Sequence, residues 1–73
     1  MQEFIIGKFR PKTTYREIEQ SLSPKQIEFM KRFVWSFRFE PREFKVVLVI
    51  RKTEFSEREI TQMFWLFPNA QMR

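Results

Sequence analysis

Phe44-Lys45-Val46-Val47-Leu48-Val49-Ile50-Arg51-Lys52 is the most β-prone stretch of this chain, and how it reads decides the fold. Successive side chains of a strand point to opposite faces. Phe44, Val46, Leu48 and Ile50 therefore share one face, and Val47 and Val49 share the other. Both faces are apolar, which predicts a strand covered on both sides. A second, weaker strand runs from Gln2 to Arg10. It sets Phe4 and Ile6 against Ile5 and Phe9, with Gly7 interrupting the pattern.

Between and after these strands, three helix starts are written into the sequence. Thr14-x-x-Glu17, Ser23-x-x-Gln26 and Ser56-x-x-Glu59 each have the capping-box form. Leu22 with Ile27, and Phe55 with Ile60, add hydrophobic staples, and Pro24 stands at a first helical position. Tyr15, Ile18 and Leu22 predict a short helix over 14–21. Ile27, Met30, Phe33, Val34 and Phe37 follow helical spacing and predict a longer second helix over 24–38, ended before Pro41. Ile60, Met63, Phe64 and Phe67 predict a third over 57–67, stopped by Pro68-Asn69.

The expected fold is thus α+β, one domain over residues 1–73 in the order β-α-α-β-α. A two-stranded sheet packs on three helices, and residues 69–73 form a loose tail. A lone strand pair is marginal in water and leaves two open edges. Seventy-three residues also bury a small core, and the absence of cysteine and histidine removes disulfides and most metal clips as reinforcement. Both points predict a homodimer, made through the strands or through the aromatic helices.

The same absences bound the chemistry. No thiolate or imidazole is available as nucleophile, general base or transition-metal ligand. The serines and threonines at helix starts have structural work there, and a single glycine cannot build a phosphate-binding loop. The sequence predicts no enzyme, no cofactor and no metal site. The longest aliphatic run, Val46 to Ile50, is far below the roughly 20 residues of a membrane span. No basic-then-apolar leader opens the chain, so a cytoplasmic protein without membrane contact is expected.

What remains is binding, and charge indicates to what. The net charge is +5, from 14 basic and 9 acidic residues, and the excess is confined to two segments. Lys8, Arg10, Lys12 and Arg16 stand against Glu3 in residues 1–16; Arg42, Lys45, Arg51 and Lys52 stand against Glu43 and Glu54 in residues 41–54. Both segments contain a predicted strand. Basic and aromatic side chains on a sheet can hold phosphates and stack unpaired bases. The expected nucleic-acid-binding set is Lys8, Phe9, Arg10, Lys12, Lys45, Arg51 and Lys52, on a basic strand face of a small regulator or accessory factor. Gly7-Lys8-Phe9-Arg10 resembles part of an RNA-recognition or cold-shock strand motif over those four residues, without the rest of either pattern. Leu22-Ser23-Pro24-Lys25-Gln26 is similar to the first helix of several helix-turn-helix families, including phage terminase small subunits. No basic recognition helix follows it, since the third helix carries Arg58 between Glu57 and Glu59.

Aromatic surplus supports a second expectation. Ten Phe, two Trp and one Tyr exceed what so short a chain needs for a core, and Met63-Phe64-Trp65-Leu66-Phe67 is apolar around its whole helix. The alternative is a protein–protein interaction module, or an inhibitor docking on a larger enzyme with an acidic surface. Trp35, Phe39, Trp65, Leu66 and Phe67 would then form the contact.

Overall fold

The computed structural model describes residues 1–73 as β1 (Gln2–Phe9), α1 (Tyr15–Ser21), α2 (Pro24–Met30), β2 (Val34–Glu40), β3 (Lys45–Lys52), α3 (Glu57–Leu66) and β4 (Gln71–Met72). It is a small α+β domain with three helices and one four-stranded antiparallel sheet in the order β2-β3-β1-β4. Each helical connection joins two strands that run the same way with an antiparallel strand lying between them. The topology is therefore two interlocked split β-α-β units.

All three capping boxes form, with Thr14, Ser23 and Ser56 accepting from the backbone N–H of Glu17, Gln26 and Glu59. The sheet, however, has four strands rather than the expected two. One of the extra strands comes from the predicted second helix, which stops at Met30. The backbone N–H groups of Arg32 and Phe33 donate to Phe29 and Met30, tightening the last turn, and Val34–Glu40 continues as β2. Helical spacing over Phe33, Val34 and Phe37 competes there with alternation of Trp35, Phe37 and Phe39, and alternation wins. The β-branched and aromatic residues of 33–37 are weak helix formers, and all seven residues of β2 gain a partner on β3. The order is therefore β-α-α-β-β-α-β. The other extra strand lies in residues 69–73: Ala70 is buried, and Gln71 and Met72 pair with Ile5 and Phe4.

Pairing also fixes which side chains meet the helices. Phe4 and Ile6 of β1, with Val46, Leu48 and Ile50 of β3, form one core with Ile18, Phe29, Met30, Phe55, Met63, Phe67 and Ala70. Val47 and Val49 lie on the other side of the sheet yet are fully buried. Arg38 on β2 contacts Glu3 on β1 at 2.6 Å, and Arg73 contacts Glu40 on β2 at 2.7 Å. Both contacts must cross β3, so the arginine stems join Ile5 and Lys8, the β1 neighbours of Val49 and Val47, on that face. The sequence expectation of a strand covered on both sides holds, with helices on one face and a charged lattice on the other.

β1 carries a bulge between Ile5 and Gly7. A Cβ at Gly7 would stand 3.0 Å from the edge of the Phe9 ring, which lies over the glycine and would have to shift for a larger residue.

Candidate nucleic-acid interface

Two turns meet at one end of the sheet. Phe9 pairs with Val46 and Glu40 with Lys45, so the β1–α1 turn and the β2–β3 turn lie side by side. The first has the form of a type II turn over Arg10-Pro11-Lys12-Thr13. The Thr13 N–H donates to the Arg10 carbonyl at 3.2 Å, and its hydroxyl donates to the same oxygen at 2.6 Å. Lys12, in the position that favours glycine, has φ +69°. The second turn, residues 41–44, ends on Phe44 with φ +53°. These are the only two non-glycine residues with positive φ in the chain, and both display a large side chain where glycine or asparagine would be easier.

Charge collects at this end without being neutralised. Arg10, Lys12, Arg16, Arg42 and Lys45 are all exposed and none lies within ion-pair distance of a carboxylate. Three of the nearby carboxylates are already committed. Glu43 accepts from Lys8 at 2.7 Å, Glu40 accepts from Arg73, and Glu17 closes the α1 capping box. The Arg73 guanidinium, with the Arg42 backbone N–H, holds the Glu40 carboxyl below the usual carboxylate range.

Exposed aromatics lie in the same region. On the helix-facing side of β2, Tyr15 stacks on Trp35 at 5.0 Å and on Phe37 at 5.7 Å. Burial, and then the neighbouring Glu19 carboxylate, raise the Tyr15 hydroxyl above its ordinary pKa. Phe39 meets Phe44 edge-on at 5.4 Å, and they remain 48 % and 66 % exposed. An aromatic ladder thus runs along edge strand β2 and ends among the unpaired cations.

The structure divides the residues expected to bind nucleic acid. Arg10, Lys12 and Lys45 come together at the turn end, with Lys8 beside them but paired to Glu43. Arg51 and Lys52 sit at the far end of β3, about 20 and 23 Å from Lys45 at strand rise. Lys52 bonds Glu59 at 2.8 Å and lies 5.9 Å from the Phe33 ring centre. Arg51 lines a cleft of about 370 Å³ with Arg32, Phe33, Val34 and Lys52, its Nε buried without an acceptor. Phe9 shares the face of Val46 and packs against the core beneath the helices. Its ring is therefore not on the open sheet face where Lys8 lies.

Arg16, Arg42, Tyr15 and Phe37 join the candidate site without having been singled out for it, beside Phe44, which directly precedes Lys45 in the basic segment. Arg16 and Arg42 were legible as charge excess. Tyr15 and Phe37 were not, because their role depends on β2 being a strand.

The residues expected at a protein interface also separate. Phe67 is core, Leu66 packs against it, and Trp35 is half-buried under Tyr15. Trp65 is 85 % exposed and borders a second cleft between α2 and α3, lined by Lys25, Glu28, Phe29, Arg32, Gln62 and Leu66. No helix is long and apolar enough to cross a membrane.

Comparison with protein-family models, curated proteins and solved structures finds no match in any of the three.

Proposed function

We propose that this is a non-enzymatic nucleic-acid-binding domain that takes a single strand at the turn end of the sheet. One observation carries the reading: five exposed cations without carboxylate partners converge there with Phe39, Phe44 and the Tyr15–Trp35–Phe37 ladder. Arg10, Lys12, Arg16, Arg42 and Lys45 would hold successive phosphates, and an unpaired base would stack on Phe44, which lies beyond the end of β2. Stacking of this kind contributes about 1–3 kcal/mol per base and tolerates any sequence. A duplex keeps its bases stacked inside, which favours single strands as the ligand.

The test is fluorescence anisotropy with mixed-sequence single-stranded and duplex oligonucleotides over a range of salt. Three to five phosphate contacts predict a log–log salt slope of about −2 to −3.5 for the single strand. Charge reversal of Arg10 and Lys45 together should reduce both affinity and slope. A slope unchanged by that pair of substitutions would place the site elsewhere.

A protein partner is the second reading, favoured by one observation. Trp65 is a large apolar side chain left 85 % exposed at the mouth of the α2–α3 cleft. Binding there would vary little with salt and would depend on Trp65.

A further inference from the structure

β2 is an edge strand that lacks the usual protection. It is seven residues long, contains no proline or lysine, and pairs with β3 in unbroken register from Val34–Arg51 to Glu40–Lys45. Edge strands normally carry bulges, prolines or outward charges that prevent further pairing. Here the only two charges, Arg38 and Glu40, are drawn back across the chain's own sheet to Glu3 and Arg73. The edge is left regular, electrically neutral and aromatic. The opposite edge, β4, is only two residues long.

We propose that β2 pairs antiparallel with β2 of a second copy, making an eight-stranded sheet with its two-fold axis at Phe37. This register engages all seven residues of both strands. It sets Phe37 opposite the partner's Phe37, Trp35 opposite the partner's Phe39, Ser36 opposite the partner's Arg38, and Val34 opposite the partner's Glu40. No like charges face each other, and the aromatic pairs all lie on the helix-facing side. Aromatic cross-strand pairs stabilise a sheet, whereas opposed like charges weaken it. The edge is thus its own complement, as an isologous interface requires. Phe37 and Phe39, 39 % and 48 % exposed in the single chain, would be covered.

The pairing also brings the separated basic groups together. Lys45 and Glu40 fall in one row with the partner's Val34 and the partner's Arg51. About 14 Å, three strand spacings, then separates Lys45 from the partner's Arg51. Each cation-rich turn end would border the partner's Arg51 cleft. This consequence rests on the nucleic-acid reading; the dimer does not.

Light scattering on the protein alone, without nucleic acid, tests the dimer directly. The expected mass at micromolar concentrations is twice that of one chain, and Phe37→Lys, which opposes two ammonium groups at the axis, should halve it. Because the chain has no cysteine, Phe37→Cys gives one reactive thiol. A short bismaleimide should link two Phe37→Cys chains efficiently and two Trp65→Cys chains poorly. If Phe37→Lys does not fold, the cross-linking comparison still decides. A single-chain mass for the native protein at all concentrations overturns the proposal, as does preferential linkage through Trp65→Cys.

Discussion

Arg38 Nη2 lies 2.6 Å from Glu3 Oε1, and the strand between their two strands is β3. The ion pair therefore bridges over Val47 and Val49, which no helix covers. The Arg38 side chain is 44 % exposed, so its charge is screened and contributes little by itself. Its stem leaves β2 opposite Val47 and must pass over β3 to reach Glu3, so with Ile5 and Lys8 of β1 it helps to cover two fully buried valines. Arg38→Ala should lower unfolding stability by about 1 kcal/mol, while Arg38→Met, which keeps the stem, should lose less than half of that. Urea denaturation of both variants checks the order; equal losses would mean that the charge, not the cover, is what matters.

The two positive-φ residues predict an unusual separation of stability from binding. Lys12 and Phe44 hold left-handed backbone at a cost of about 1–2 kcal/mol each. Lys12→Gly should raise stability by about 1 kcal/mol, since the Lys12 side chain is exposed and makes no ion pair. Phe44→Gly also relieves strain but loses the edge contact with Phe39, so its stability should change by less than about 1 kcal/mol. Both should bind single-stranded oligonucleotide more weakly. Thermal unfolding and anisotropy, run side by side, would show whether these side chains serve the ligand or the fold.

Why some of this could be read from the sequence and some could not follows from particular residues. Capping depends on contacts three residues apart, so Thr14, Ser23 and Ser56 declared their helices directly. Val46 to Ile50 declared a doubly covered strand because burial on both faces leaves no polar alternation. Residues 33–39 satisfied two periods at once, and pairing with β3, together with the weak helix propensity of their β-branched and aromatic residues, decided between them. Gln71 and Met72 carry no local strand signal; they pair because β1 offers an edge. The site followed the same division. Its cations were visible as uneven charge, while the ladder of Tyr15, Trp35 and Phe37 depends on the strand that the pattern concealed.

Acid should weaken the fold through two named carboxylates. Arg73, then the Arg42 N–H, lowers the pKa of Glu40; Lys52, then the Ser56 N–H, lowers that of Glu59. Each carboxyl binds its proton more tightly in the unfolded chain than in the folded one. Their contribution is complete above the ordinary glutamate value of about 4.3 and is lost as pH falls through the lower folded values. Glu59→Gln keeps an acceptor for the Ser56 N–H, as Gln26 does for Ser23. It removes only the pairing with Lys52. Its stability should fall less steeply below the glutamate range than that of the native protein, which denaturation at a series of acid pH values would measure. An identical acid limb would exclude Glu59 as a contributor.

Trp65 and Phe44 provide the comparison that separates the two functional readings. Trp65 is 85 % exposed and lies outside the core cluster, so Trp65→Ala should change stability by no more than about 0.5 kcal/mol. Phe44, 66 % exposed, stands among the unpaired cations at the turn end and does not line the α2–α3 cleft. If a nucleic-acid strand stacks there, Phe44→Ala should weaken single-strand binding by about 1–3 kcal/mol, five- to more than a hundredfold, with the salt slope nearly unchanged. Trp65→Ala should leave the same affinity intact, because no cation cluster accompanies that cleft: Lys25 and Arg32 share it with Glu28, which lies 3.8 Å from Arg32. The reverse result, with binding insensitive to Phe44 and lost with Trp65, would move the functional surface to the helices. It would also turn the charge of the turn end into a means of steering a protein partner rather than of holding phosphate.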